Sequence, residues 1–220
     1  ETPFGDVETD AELLEQLGTL YGGELFRDEH AHATEHTIEL QAVYLRQLFG
    51  DGRTPKIVPV LVGSFDDLLE NPASPRNDGQ IGPCCAALRR ILDEHDGRVG
   101  IIGGVDLSHC GPQFGDDALN DAAREQEIEA GDRAVLAAIE AGDPDGFFDT
   151  IRRDGNARNV CSVAPIYCVL EAMRGRAQAR VLSYQQANSE DRTCLVSFTS
   201  VAFVRNGAAA SGTKILIVPG

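Results

Sequence analysis

Long apolar segments are absent from this chain of 220 residues. Because about 20 consecutive apolar residues are needed to cross a bilayer, we expect no membrane span and no membrane partner. Basic residues are also scarce: 19 lysines and arginines face 35 acidic residues, and the formal net charge is −16. Since a phosphate backbone binds to basic surfaces, this balance argues against nucleic acid as a partner.

Two common catalytic patterns are missing as well. The chain contains no Gly-x-Ser-x-Gly, which argues against a hydrolase of the nucleophile-elbow type. It also lacks the glycine-rich loop that follows a nucleotide-binding strand. The six cysteines do not have the spacing of a small disulfide-stapled scaffold, and a domain of this size does not need disulfides. We therefore expect free thiols and a cytoplasmic location.

Helical and strand-like patterns alternate along the chain, which is typical of an α/β domain. The capping box Thr9-x-x-Glu12 predicts a first helix, and a second is expected over 35–49. An acidic helical region at 116–140 contains Gly131, where we expect an interruption. Strands are predicted at 56–62, 99–105, 179–185 and 195–204, the last of them central in its sheet. The expected architecture is a mixed β-sheet flanked by helices.

We interpret residues 1–206 as a single domain, because no linker divides them. Residues 207–212 are linker-like, and 213–220 read as an additional strand. The chain begins with Glu1 in a stretch rich in proline and glycine, as though within a loop. We expect further residues upstream of it.

The first candidate functional segment is Asp-Leu-Ser-His-Cys-Gly at residues 106–111, directly after the strand at 99–105. Functional groups of α/β proteins collect where strands end. Asp106 and His109, three residues apart at such an exit, can share a metal ion or a proton. The alternative is structural, with Asp106 capping the next turn and His109 hydrogen-bonded in place. Cys110 is open to either interpretation.

Cys161 is the second candidate, just before a helix that opens around Pro165. Peptide dipoles at a helix N-terminus favour a thiolate, which is both a nucleophile and a soft metal ligand. A buried, inert cysteine is the alternative. Glu35 and His36 form a third candidate on the first turn of the second helix, where acidic and capping residues are also common for structural reasons. His30 and His32 are expected to be exposed loop residues without a role.

Five segments in order resemble the MEMO family, also called AmmeMemoRadiSam system protein B. They are Glu-His-Thr-Ile-Glu at 35–39, Ile-Val-Pro-Val-Leu-Val-Gly at 57–63, Asp-Leu-Ser-His-Cys-Gly at 106–111, Cys-Ser-Val-Ala-Pro-Ile at 161–166, and Leu-Ser-Tyr at 182–184 with Asp191. The resemblance implies a fold similar to class III extradiol dioxygenases, which use non-haem iron. It also implies a pocket of histidines, an aspartate and a cysteine to which iron or copper binding is attributed.

By this resemblance, Asp106, His109 and Cys161 are the pocket residues. His109 would be a metal ligand or proton shuttle, Cys161 a thiolate ligand, and Asp106 a ligand or the group that orients His109. Glu35 and His36 would lie at the pocket rim. Iron or copper would support metal-dependent redox chemistry, and zinc is a third candidate.

The chain departs from the family pattern in its histidines. The family motifs Pro-His-Ala-Gly-Tyr and Pro-Ser-His-His, which supply two more pocket histidines, are absent, although residues 215–220 resemble the strand that leads into the first of them. Asp106, His109 and Cys161 alone are an incomplete ligand shell for a catalytic metal. Two alternatives therefore stand beside metal chemistry: a binding module for a small molecule or peptide, and a degenerate relative with no site. The oligomeric state is left open.

Overall fold

A computed structural model describes residues 2–50, 52–71, 73–95, 98–205 and 214–219; the linker-like stretch 207–212 lies outside them. The helices are α1 (Ala11–Tyr21), α2 (Thr37–Phe49), α3 (Asp66–Leu69), α4 (Ile81–His95), α5 (Ala122–Glu140), α6 (Pro144–Arg152) and α7 (Val163–Met173). The strands are β1 (Lys56–Pro59), β2 (Val99–Gly104), β3 (His109–Cys110), β4 (Gln178–Asn188), β5 (Leu195–Val204) and β6 (Lys214–Pro219). The α/β class is confirmed. The likeness to extradiol dioxygenases stays a prediction.

The described residues form two compact units. The first contains the chain up to Gly63, the segment from Pro75 to Gly104, and β6. The second contains the segment from Ser64 to Ser74 and the described chain from Val105 to Arg205. Interpretation of residues 1–206 as a single domain stays a prediction.

The first unit is built on a parallel sheet of order β1-β6-β2. Residues 214–219, which the sequence assigned to an additional strand, run between the two earlier strands. Pro59 is the last residue of β1, in agreement with the strand end that a proline predicts. The apolar face of α2 is buried as its spacing predicted, and Ile38 and Leu45 pack with Ile57 of β1.

The N-terminal cap of α1 corrects the sequence interpretation. A capping box from Thr9 to Glu12 was expected, but the side chain of Asp10 accepts the hydrogen bond from Leu13 N, at 3.0 Å. Thr9 is instead held in an isolated parallel bridge to Ile57. Because the bridge holds the backbone of Thr9 against β1, the next residue, Asp10, takes the N-cap position and its side chain reaches the first turn of α1.

The second unit is built on an antiparallel sheet of order β3-β5-β4, with β5 in the centre as predicted. Helix α5 packs on α6 and β4, and α6 packs on α7. An aromatic cluster lies in its core, where the rings of Phe65, Phe148 and Tyr167 meet edge to face at 5.7–6.2 Å between centroids. Such ring pairs contribute about 0.5–1.5 kcal/mol each beyond their burial.

Two further expectations concern helices. The interruption predicted near Gly131 is wrong, because α5 is continuous from Ala122 to Glu140. A single glycine costs a helix only about 1 kcal/mol relative to alanine, which the packing of α5 offsets. Across the described segments, no helix has the length and apolar character needed to cross a membrane.

Candidate functional site: the His109–Cys161 pair

The loop that carries Asp106 and His109 follows β2 and is held by its backbone. Each of its four consecutive N–H groups donates a hydrogen bond to a residue distant in sequence. The bonds run from Asp106 N to Ser162 Oγ (3.2 Å), Leu107 N to Ser197 O (2.9 Å), Ser108 N to Ser197 Oγ (2.9 Å) and His109 N to Arg158 O (2.8 Å). The conformation of this loop is therefore fixed from several sides.

The chain must also turn sharply after His109, and Gly111 makes this possible. Its φ is +111°, a conformation that side-chain-bearing residues rarely adopt. A Cβ there would lie 2.4 Å from Asn120 Nδ2 and 2.5 Å from Thr193 O. Only glycine fits this close approach, so the glycine of the 106–111 motif has a structural role.

The imidazole of His109 has a fixed orientation and is 17% exposed. Its Nδ1 lies 3.2 Å from Leu107 O, and because a carbonyl oxygen only accepts, Nδ1 carries the proton. Phe114 packs edge-on against the ring at 5.1 Å. The other nitrogen, Nε2, lies 3.9 Å from Asp106 Oδ2. It is the nitrogen that remains available for the interaction of the imidazole with the thiol of Cys161.

Cys161 is brought to this imidazole by a tight turn before α7. Asn156 and Asn159 both have positive φ, which asparagine tolerates better than most residues. The amide of Asn156 bonds both backbone groups of Val160, accepting from N at 2.9 Å and donating to O at 3.2 Å. Cys161 is an exposed residue directly before Ser162, the N-cap of α7, whose Oγ lies 3.4 Å from its sulfur.

Each member of the pair shifts the pKa of the other in the direction of its charged form. Packing around the sulfur raises the pKa of Cys161, but the hydrogen bonds from His109 and Ser162 outweigh it, and the net pKa is lowered from 9.0. The pKa of His109 is raised from 6.5, chiefly by the hydrogen bond to Cys161, against the opposing effect of burial. Cys161 is therefore the activated thiol of this loop cluster.

The neighbouring cysteine behaves in the opposite way. Cys110 is fully buried, and burial raises the pKa of its thiol from 9.0 to about 11. Its sulfur donates to Arg158 O at 3.6 Å. Cys110 is thus a structural residue, which resolves the ambiguity left by the sequence.

Glu35 and His36 belong to the first unit, and the His109–Cys161 pair belongs to the second. Glu35 Oε2 accepts from Thr37 N at 2.7 Å, from Thr37 Oγ1 at 2.6 Å and from Ile38 N at 3.2 Å, so this carboxylate caps α2. His36 is exposed at the N-cap position and makes no side-chain capping bond. Their place at a pocket rim stays a prediction.

A buried carboxylate beneath the loop was missed by the sequence analysis. Asp132 of α5 is 0% exposed and accepts hydrogen bonds from three hydroxyl groups. The donors are Ser108 Oγ (2.6 Å), Ser197 Oγ (2.5 Å) and Tyr184 Oη (2.9 Å). A signal existed, because Asp132 lies one turn from both Ile128 and Leu136 on the buried face of α5.

The donor atoms of His109 and Cys161 determine which metal ions the pair can bind. Imidazole nitrogen and thiolate sulfur suit iron, copper and zinc. Over the residues that can be described, however, no group of three or more histidine, cysteine or acidic side chains is placed to hold a metal ion. The pair therefore supplies two donors, and a complete protein-held coordination shell is not present in this part of the chain.

Comparison with known proteins agrees with the motifs around this pair. A family model described as Memo-like protein matches residues 1–202. The chain belongs to the Memo-like family. A MEMO1 family protein of Aeropyrum pernix is 32% identical over 195 residues, which cover 87% of this chain and 58% of that protein.

Further relatives give the same assignment. A MEMO1 family protein of Methanococcoides burtonii is 32% identical over 175 residues, covering 79% of this chain and 54% of the relative. One from Thermus thermophilus is 28% identical over 185 residues, covering 84% and 49%. The chain thus spans about half the length of these Memo-like relatives.

Proposed function

We propose that this Memo-like chain works through the His109–Cys161 pair and that the pair binds a transition metal ion. Cys161 would be the thiolate ligand and His109 Nε2 the imidazole ligand, with iron or copper favoured and zinc a third candidate. The observation that supports the proposal is the mutual effect of imidazole and thiol: Cys161 is the chief cause that raises the pKa of His109, and His109 is the chief cause that lowers the pKa of Cys161.

The shared proton is the feature that metal binding must change. Both donors coordinate metal in their deprotonated forms, so an ion can occupy the pair only by displacing that proton. Leu107 O holds the proton on Nδ1, which leaves Nε2 as the coordinating atom. Two residues are fewer than the three protein ligands usual in catalytic zinc sites, and a bound ion therefore needs further ligands.

Iron or copper held by the pair would supply redox chemistry. The family resemblance suggests that the reaction would be dioxygenase-like. The chain's own residues would do the remaining work. As the alternative to ligation, His109 would accept or return a proton at Nε2; its pKa is raised from 6.5, chiefly by its interaction with Cys161. Asp106, with Oδ2 at 3.9 Å, orients and stabilises the charged ring, and Phe114 covers one edge of it.

Metal analysis tests the proposal directly. The purified protein is loaded with Fe²⁺, Cu⁺ or Zn²⁺ in separate samples, and bound metal and released protons are measured. We expect about one ion per chain with proton release, and loss of that ion in both His109→Ala and Cys161→Ser. The matched control is Cys194→Ser, which removes a free, half-buried thiol of the same unit and should retain the ion. Metal that persists in both variants would overturn the proposal.

A second function uses the same pair without metal, as a binding site for a small molecule or peptide. The observation that favours it is that no third metal-ligating side chain joins the pair within the described ranges. A protein that takes up none of the three ions, while Cys161 still reacts faster than Cys194 with iodoacetamide, would select this function over metal chemistry.

We further propose a cytoplasmic location and no nucleic-acid partner. The free thiols of Cys110, Cys161 and Cys194 support the first proposal, since reducing compartments keep thiols free. The net charge of −16 supports the second. Retention of the protein on a heparin column at about physiological ionic strength, where charges are screened beyond ~8 Å, would contradict the second proposal.

A further inference from the structure

The buried carboxylate of Asp132 lies at the centre of a hydrogen-bond network beneath the loop that carries His109. Its partners come from four different segments of the second unit. They are Ser108 on the loop, Ser197 on β5, Tyr184 on β4 and Arg158 on the turn that precedes Cys161. Arg158 Nε lies 3.6 Å from Asp132 Oδ1, and its side chain is 12% exposed. The loop that carries His109 and the turn that precedes Cys161 are thus both connected to one carboxylate.

An ionised carboxylate accepts hydrogen bonds and cannot donate them. The hydroxyl of Ser197 must therefore donate to Asp132, at 2.5 Å, which leaves its lone pairs to accept from Ser108 N at 2.9 Å. The hydroxyl of Ser108 must likewise donate to Asp132 rather than elsewhere. As their common acceptor, Asp132 consequently sets the direction of the hydroxyl hydrogen bonds of Ser108 and Ser197.

We propose that Asp132 is a positioning residue for the His109–Cys161 pair. Through the hydroxyls of Ser108 and Ser197 it fixes the loop at the place where the imidazole meets the thiol. Through its ion pair with Arg158 Nε, at 3.6 Å, it also fixes the turn that leads to Cys161. The carbonyl of Arg158 in turn accepts from His109 N at 2.8 Å. Asp132 touches neither member of the pair, so its effect passes through these intermediates.

The alternative is that Asp132 only stabilises the fold, and the chain offers matched variants that separate the two roles. Ser108→Ala and Ser197→Ala each remove a hydroxyl that connects Asp132 to the loop. Tyr184→Phe removes another hydroxyl that donates to the same carboxylate, on the side of β4. Gln186 Nε2 donates to this tyrosine hydroxyl at 2.9 Å. All three variants take one hydrogen bond from Asp132, but only the first two lie between it and His109.

The readout is the alkylation rate of Cys161 by iodoacetamide in the metal-free protein, resolved by peptide mass spectrometry with Cys194 as the internal reference. Alkylation follows the thiolate population, which depends on the contact with His109. In Ser108→Ala and in Ser197→Ala, we expect the alkylation rate of Cys161 relative to that of Cys194 to fall by roughly threefold or more. Tyr184→Phe should stay within roughly twofold of the wild type. Melting curves of the three variants verify that each is folded.

Two outcomes would overturn the proposal. Unchanged Cys161 alkylation in folded Ser108→Ala and Ser197→Ala would show that the loop keeps its position without Asp132. Equal slowing in all three variants would show a general effect of stability. The inference concerns the metal-free pair and goes beyond the proposed function. A protein that binds no metal can still show the effect of Asp132 on Cys161 alkylation, and a protein without that effect can still bind metal.

Discussion

The guanidinium of Arg158 lies across the backbone of α5 at Gly131. A Cβ built on that glycine would be 2.5 Å from Nη1, 2.6 Å from Cζ and 2.7 Å from Nε of Arg158. Glycine at this position therefore makes room for the side chain that pairs with Asp132 and Asp154. The glycine that the sequence suggested as a helix break is instead a packing site.

We expect Gly131→Ala to lower the free energy of unfolding by about 2 kcal/mol. Alanine gains about 1 kcal/mol of helix propensity. The displaced guanidinium leaves the buried Asp132 without its ion pair. Complete loss of one partner of a buried pair costs about 3–5 kcal/mol, and the cost is smaller where the displaced arginine finds a new position nearby. The loss is therefore expected to exceed the gain. Urea denaturation of wild type and variant measures the difference.

The control for this change is Gly18→Ala in α1, where the nearest heavy atom to a new Cβ is Leu25 Cδ2 at an ordinary 3.7 Å. Here alanine should stabilise the protein by about 0.5–1 kcal/mol, because only the propensity gain remains. Opposite signs for the two substitutions are the expected result. Equal stabilisation at both positions would show that Arg158 is not held at Gly131.

Local patterns predicted most of the elements of this fold. The burial of Ile38, Ala42 and Leu45 follows from their spacing alone, and the central position of β5 follows from apolar residues on both of its faces. Caps were less predictable, because Thr9 and Asp10 both suit the N-cap and a long-range bridge to Ile57 decides between them. The pairing of β6 between β1 and β2 is equally long-range, and no local pattern encodes it.

The site was predicted only in part, because local patterns identify single residues and not their long-range partners. His109 and Cys161 were identified from their places at a strand exit and a helix start, and their mutual effect on each other's pKa required the structure. Ser108, Ser197 and Asp132 were not identified, because a buried serine or aspartate shows its partners only in three dimensions. Asp132 on an otherwise apolar helix face was the one signal available.

Asp132→Ala should be among the most destabilising substitutions of an acidic residue in this chain. It removes the acceptor of three hydroxyl groups and leaves Arg158 partly buried beside a cavity. Loss of one partner of a buried pair costs about 3–5 kcal/mol. Asp149→Ala is the control, since Asp149 is 52% exposed in its pair with Arg152 and such pairs contribute about 0–1 kcal/mol. Chemical denaturation in the same buffer compares the two, and similar losses would contradict the buried network.

Asp10→Ala should destabilise the protein more than Thr9→Ala, because the Asp10 carboxylate caps α1. Loss of an N-cap side chain costs about 0.5–2 kcal/mol, whereas the bridge of Thr9 to Ile57 is made by the backbone and survives the substitution. Asp10→Ser keeps a capping oxygen and should recover most of the loss. A larger effect at Thr9 would restore the capping box that the sequence suggested.

The pH dependence of Cys161 alkylation tests the pair itself. Because its pKa is lowered from 9.0, the thiolate of Cys161 should appear at a lower pH than an ordinary thiol. His109→Ala removes a hydrogen bond that lowers this pKa and leaves the packing that raises it, so the rise in alkylation rate should move to higher pH. Cys161→Ser should lower the pKa of His109 toward 6.5 in an NMR titration, since its main raising cause is lost. His30→Ala, at an exposed position of the first unit, is the matched control and should leave the alkylation profile unchanged. An alkylation profile that His109→Ala does not shift would mean that the imidazole and the thiol do not interact.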